Sequence, residues 1–135
     1  MVAAADAEEI RRLVVDLAWY IDTGQIDEAV ALFTDRARFD ASLVGGKLIT
    51  DHKGLRALMA QTCERAPSRL HLISNHVVDV DGATVSGRLV GLAYSRHSDG
   101  SYSLHGIAYE DRYERESDGW KIDQRTVRPM VLPTG

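Results

Sequence analysis

Asp22 ends an apolar helical stripe, and His71 interrupts an apolar, alternating run, so a carboxylate and an imidazole stand where water is scarce. General acid–base chemistry asks for such a pair. The carboxylate fixes the tautomer of the ring and steadies the imidazolium that forms when it takes a proton. A proton can then be removed from carbon beside a carbonyl or leaving group, or handed to a departing oxygen. Tyr20 and Tyr109 are candidate donors to the oxyanion such a reaction develops.

Other chemistries are poorly supplied. His52, His76, His97 and His105 have no metal-ligand spacing among themselves. His105 shares its parity with Ile107 and Tyr109 and could point inward with them. Cys63 has no charged activator nearby in the sequence and reads as inert. Asp40, near the end of the first strand, reads as a solvated strand-end carboxylate. No phosphate-binding motif occurs. Neither a cofactor nor a metal is expected.

The elements that must position these residues follow from periodicity. Asp6 and Glu9 read as a capping box, after which Ile10, Leu13, Val14, Leu17 and Ile21 keep helical spacing as far as Thr23-Gly24. A second helix is expected from about Ile26 to Phe33 and a first strand over Ala37–Ala41. Gly45-Gly46 is a turn, and Leu48-Ile49 a short return strand. A third helix carries Leu55, Leu58, Met59 and Thr62 and stops before Pro67. Beyond Pro67 the period falls to two: Leu70, Leu72, Ser74, His76, Val78 and Val80 on one face, His71, Ile73, Asn75 and Val77 on the other. Asp81-Gly82, Asp99-Gly100 and Asp118-Gly119 are turns joining four long strands, the last reaching roughly Val131. Helices followed by an antiparallel meander make an α+β domain spanning residues 1–135.

Composition narrows the functional class. With 135 residues, 44% of them hydrophobic, the chain can bury one sizeable core. The 16 basic against 20 acidic residues argue against nucleic acid as a partner. A single cysteine suits a reducing interior, and no run is long enough to span a membrane. The N-terminus lacks the basic start and apolar stretch of a signal peptide, so a cytoplasmic location is expected.

The run Trp19-Tyr20-Ile21-Asp22-Thr23-Gly24-Gln25-Ile26-Asp27, followed by Ala31-Leu32-Phe33-Thr34-Asp35, resembles the opening of the nuclear-transport-factor-2-like superfamily. Leu70-His71-Leu72-Ile73-Ser74-Asn75-His76, Tyr109-Glu110-Asp111-Arg112-Tyr113 and Asp118-Gly119-Trp120-Lys121-Ile122 are similar to its SnoaL-like branch. The resemblance implies a cone-shaped α+β barrel, three N-terminal helices packed in a strongly curved, mainly antiparallel sheet. Scytalone dehydratases and hexachlorocyclohexane dehydrochlorinases of that superfamily pair an Asp at the end of the first helix with a His after the third, matching Asp22 and His71. The same resemblance places Arg125 on the last strand, Phe39 as a pocket aromatic, and Tyr94 where the dehydratase has a second histidine. Polyketide cyclases belong to the same branch.

These readings make the protein a cofactor-free lyase or isomerase of dehydratase, cyclase or elimination type, acting on a small, mostly apolar or polyketide-like molecule. Ile73, Val90, Leu92, Ile107 and Phe39 would wall the pocket, and Tyr20, Tyr94, Tyr109 and Arg125 would supply polar contacts. The alternative is a non-catalytic small-molecule-binding or assembly module. His71 would then be a core histidine bonded to a backbone carbonyl, and Asp22 a helix-end carboxylate. Arg125, opposite in parity to Trp120 and Ile122 unless a bulge intervenes, would then be a surface charge. Leu70, Leu72, Val78, Leu89 and Leu104 exceed what one helix layer can cover, which predicts a homodimer or homotrimer.

Overall fold

The computed structural model describes residues 2–130. Helix α1 (Ala4–Asp22) buries Ile10, Leu13, Val14 and Leu17. These residues recur every three or four positions, so one stripe of the helix faces the core. Asp6 and Glu9 do not form the expected capping box, because the helix begins earlier, after Ala3, with no side-chain cap. Their carboxylates instead clamp the far end of the chain. Asp6 accepts hydrogen bonds from Arg115 (2.9 Å) and the Trp120 indole (3.1 Å), and Glu9 from the Trp120 backbone N–H (2.7 Å).

Helix α2 (Ile26–Val30) is shorter than its apolar pattern suggests, and strand β1 (Phe33–Asp40) starts earlier. Tertiary pairing is the reason. The Leu32 carbonyl accepts the Ile122 N–H at 2.9 Å, and Phe33 lies in register with Ile122, so the chain is drawn into the sheet before the helix can continue. A 3-10 turn (Ser42–Val44) and β2 (Leu48–Ile49) lead to α3 (His52–Arg65), whose first turn is capped by Asp51 on the Gly54 N–H (2.7 Å). Then come β3 (Ser68–Asp81), β4 (Thr84–Arg96), β5 (Tyr102–Glu116) and β6 (Gly119–Pro129). The expected end of the last strand at Val131 lies outside the described residues.

The sheet order is β2-β1-β6-β5-β4-β3, antiparallel throughout except where β1 joins β6 in parallel. The helices pack into the concave face of this bent sheet, giving the α+β cone. Ile122 is fully buried there and Trp120 packs partly against the same cluster. Gly82, Gly100 and Gly119 all have positive φ, so the three Asp-Gly turns stand where the sequence puts them.

Two register shifts decide which residues face inward. On β3 the pairing slips between Ser74 and Val77, and Asn75 adopts φ 56°. One extra residue reverses the alternation. His71 and Ile73 point inward before the bulge, whereas His76 and Val78 do so after it. The simple period-two reading, which put His76 and Val78 with Leu70 and Leu72, fails at that residue. On β6 the slip between the Arg112 and Tyr113 pairings lets both Ile122 and Arg125 face the core. Leu89, expected outside, is buried; it stands opposite Tyr109 on the inner face.

The inner face of β4 runs Gly87, Leu89, Gly91, Ala93, and its small residues leave space above the sheet. A Cβ on Gly87 would sit 2.7 Å from the Tyr113 hydroxyl and 3.1 Å from His76 Nε2. Glycine is therefore what lets those two side chains meet. The outer face keeps a cross-strand apolar patch: Leu70, Tyr94 and Leu104 in one rung, Leu72 and Leu92 in the next. All five side chains are exposed.

A patch of this kind is costly to leave in water, and we propose that further copies of the chain cover it. Light scattering should give a mass of two or three chains. A monomer at high concentration would overturn the expectation.

Candidate active site

Asp22 is the last residue of α1, and its carboxylate spends both oxygens on one residue of β3. Oδ1 lies 2.6 Å from His71 Nδ1, and Oδ2 accepts the His71 backbone N–H at 2.8 Å. The side chains of His71 and Asp22 are only 19% and 14% exposed. A carboxylate accepts through this contact, so in the neutral ring Nδ1 carries the proton and Nε2 keeps its lone pair. The helix-end turn needs no help from Asp22. Thr23 donates its N–H and hydroxyl to the Trp19 carbonyl, and Gly24 takes the positive φ.

A carboxylate at a helix C-terminus is electrostatically misplaced, because unpaired carbonyls already gather negative charge there. Arg69 offsets this. Its Nε donates to the Ile21 carbonyl at 2.8 Å and Nη1 to Ala66 at 2.9 Å. Arg69 stands two residues before His71 on the same face of β3, so one strand both neutralises the helix end and delivers the imidazole. The parity of Arg69 with His71 was the available signal for it.

Beyond His71 the cone holds two spaces that share part of their lining. The larger, about 610 Å³, is lined by His71, Phe39, Leu58, Thr62, Ala93, His105, Ile107, Tyr109 and Val127, with Leu43 and Val44 at its edge. The smaller, about 120 Å³, shares His71, Phe39, Leu58, Thr62 and Tyr109, and adds Leu17, Ile21, Phe33, Met59 and Arg125. Both are predominantly apolar with a few polar groups, as small-molecule sites usually are. Cross-strand register explains the wall. His71, Ala93 and His105 form one rung, Ile73, Gly91 and Ile107 the next, and Leu89, Tyr109 and Val127 a third.

Phe39, Ile107, Tyr109 and Arg125 meet His71 around these spaces. Ile73 faces inward but lines a neighbouring hollow with Asn75 and Met130. Tyr20 packs partly against the core and lines neither space. Tyr94 is a correction: its parity on β4 puts it on the outer face, 5.7 Å from Tyr102 ring to ring. Val90 and Leu92 share that face and do not wall the cavity. Asp40 accepts the Ser42 N–H at 3.0 Å, and hydrogen bonding from the Ser42 side chain and then its backbone holds the carboxyl below the usual range, so it is a turn-stabilising carboxylate. Cys63 Sγ donates weakly to the Ile21 carbonyl at 3.9 Å.

The sequence reading missed the partner of Arg125. Asp111 lies directly across from it on β5, and the two form a bidentate pair at 2.8 and 2.7 Å, with side chains 6% and 0% exposed. Burial alone would push the guanidinium down, but the Asp111 charge and its hydrogen bonds hold Arg125 above its ordinary value. The pair uses Nε and Nη2, and among the described residues Nη1 has no hydrogen-bond partner. The guanidinium also lies 4.1 Å from the centre of the Tyr109 ring. Burial raises the Tyr109 phenol, against the opposing pull of Arg125, and so keeps it a neutral donor.

Behind this pair, Tyr113 donates to Asp111 Oδ2 at 3.0 Å and accepts from His76 Nε2 at 3.0 Å. Burial and the Asp111 charge raise the Tyr113 phenol far above its usual range, so it stays protonated. With Nε2–H donating to the phenol, His76 Nδ1 is a bare acceptor, and among the described residues it is buried without a partner. Protonating His76 would create a buried donor with nothing to bond. Burial lowers its pKa accordingly, against the raising effect of Asp111.

A model of the SnoaL-like domain matches residues 2–126. An uncharacterized protein of Mycobacterium tuberculosis (strain ATCC 25618 / H37Rv) is 30% identical over 125 residues, covering 90% of this chain and 83% of that protein. A structure from Novosphingobium aromaticivorans, given a provisional name as an aromatic ring hydroxylase, superposes with a TM-score of 0.93 at 25% identity. It covers 100% of this chain and 96% of its own. A hexachlorocyclohexane dehydrochlorinase from Novosphingobium barchaimii gives 0.84 at 20% identity, covering 96% of this chain and 89% of its own. At that identity the likeness concerns the fold.

Asp111→Ala should destabilise the protein by about 3–5 kcal/mol in urea unfolding, since it strands a buried guanidinium. A loss below about 1 kcal/mol would contradict the buried-pair reading. His76 predicts a pH dependence. Its folded pKa lies below the unfolded one, near 6.5, so its contribution is intact above that pH and is lost as pH falls toward the depressed value. His76→Gln should therefore make the fall of stability below pH 6.5 shallower by a fraction of a proton. An unchanged slope would show that His76 titrates freely.

Proposed function

The chain belongs to the SnoaL-like domain family, and from that premise we propose that it is a cofactor-free lyase or isomerase in which Asp22 and His71 move a proton on a small, mostly apolar substrate. The observation that carries this reading is the Asp22–His71 contact at 2.6 Å, made through Nδ1, on a histidine that lines an apolar cavity. The core-histidine alternative expects a backbone carbonyl as partner, whereas His71 has a carboxylate. The dehydrochlorinase among the structural neighbours supports the same class of chemistry.

In the proposed reaction His71 Nε2 takes a proton from carbon next to a carbonyl or a leaving group. The electron pair left on carbon forms a double bond. In an elimination the leaving group departs with its bonding pair; in an isomerisation charge collects on the carbonyl oxygen. Asp22 stabilises the imidazolium that results. The Tyr109 hydroxyl or an Arg125 Nη1–H can meet the developing oxyanion, since both residues line the chamber beside His71. The imidazolium then returns its proton to the departing oxygen or to another carbon. Because Asp111 neutralises Arg125, the chamber offers donors with little net charge, which suits a group that is neutral until the transition state.

A general-base probe tests this without knowledge of the natural substrate. 5-Nitrobenzisoxazole loses its carbon-bound proton to a base while its N–O bond breaks, releasing a coloured phenolate. The protein should accelerate this reaction above free imidazole. His71→Ala should lower the rate by about 10²-fold or more, and Asp22→Asn by a similar order, with circular dichroism unchanged. Equal rates in the wild type and His71→Ala would remove His71 as the base.

A further inference from the structure

A second hollow lies against the reaction cavity, on the other side of the strap that joins β1 to β2. Along this strap, Leu43 and Val44 line the cavity that holds His71. Gly45, Gly46 and Lys47 line the second space, about 490 Å³, which shares Ala41 and Leu58 with the first. The strap is tightly built. Gly45 takes φ 85°, and a Cβ on Gly46 would meet the Ala41 Cβ at 2.8 Å.

The chemistry of the second hollow differs from that of the first. Ile49, Ala57 and Leu58 give it an apolar floor, while Lys47, Gln61 and Arg65 bring donors to it. Two of these donors are cations. Among the described residues neither has an ion-pair partner, in contrast to Arg56 with Asp27 and Lys121 with Asp118. The flanking carboxylate of Asp51 is engaged as the α3 cap. In a chain of net charge −4, two unpaired cations lining one concave, partly apolar space reverse the local sign.

We propose that this hollow binds the anionic end, a carboxylate or a phosphate ester, of an extended amphipathic substrate whose apolar body enters the His71 cavity past Ala41 and Leu58. Lys47 supplies a mobile point charge, Arg65 a planar pair of donors, and Gln61 an amide N–H. The assignment rests on the His71 cavity being the reaction site and adds the substrate class. The substrate carries a charged terminus remote from the carbon that loses its proton.

The probe is 11-(dansylamino)undecanoic acid beside its methyl ester, which differs only in lacking the charge. By fluorescence titration the acid should bind about tenfold more tightly than the ester, equivalent to about 1.4 kcal/mol. Its advantage should shrink with added salt. Lys47→Gln combined with Arg65→Gln should bring the acid to the level of the ester and leave the ester unchanged. Ala93→Phe, or Thr62→Phe should the first variant misfold, should weaken both by filling the cavity. Displacement by decanoate, decyl phosphate or both, but not by inorganic phosphate alone, supports the site and identifies the preferred head. Equal binding of acid and ester, an advantage that persists in the double variant, or indifference to the filled cavity overturns the proposal. Because the readout is binding, its failure leaves the His71 rate on nitrobenzisoxazole unaffected, and the two readings fall separately.

Discussion

The buried ion pair between Arg125 and Asp111 is the constraint around which the concave face is arranged. Two charges removed from water cost several kcal/mol each unless their geometry is close to ideal and their remaining hydrogen-bonding sites are occupied. The sheet meets the geometric requirement and occupies the Asp111 oxygens with specific residues, leaving Arg125 Nη1 as the pair's one donor turned to the chamber. The slip on β6 turns Arg125 inward opposite Asp111, and Tyr109 covers the guanidinium face. Tyr113 occupies the second Asp111 oxygen, and Gly87 leaves room for Tyr113 to do so. His76 completes the series from beyond the β3 bulge. Removing any one member exposes the desolvation cost of the others, so these positions act as a set.

A second seam joins α1 to β3. There the helix end would suffer from Asp22 were Arg69 not bonded to the Ile21 carbonyl. Asp22 grips both the ring and the backbone of His71, so the imidazole is held against rotation and the strand against sliding. The arrangement fixes one tautomer with the smallest number of parts, a carboxylate and its immediate neighbour. The apolar walls around it keep competing hydrogen-bond partners away.

Much of this was legible because it is local. Asp-Gly turns declare themselves, helical spacing marks Ile10 to Leu17, and the runs around Asp22 and His71 carry a family resemblance that the domain match bears out. What stayed hidden depends on pairing between distant strands. The bulge at Asn75 has no compositional mark, and it moves His76 and Val78 to the other face. Asp111 lies fourteen residues from Arg125, and only register shows that they are opposite each other. Asp6 and Glu9 had the spacing of a cap but found better partners in Trp120 and Arg115. Phe33 was a plausible end to a helix until Ile122 claimed it for the sheet. Analogy with a histidine points Tyr94 inward, whereas simple alternation along β4 places it outside.

The extra residue on β3 has a consequence for how this protein can change. It divides a single strand into two stretches whose inward histidines answer to different carboxylates, His71 to Asp22 directly and His76 to Asp111 through Tyr113. Arg125 and Tyr109 join the two, since both belong to the ionic set and both line the chamber beside His71, so substitutions at them couple to either end. Cavity lining other than these two residues can therefore diversify while the ionic core stays intact, whereas a change at Arg125 or Tyr109 bears on stability and on the cavity together. A one-residue irregularity thus gives a small domain two inward histidines that differ in partner and meet at one shared pair of residues.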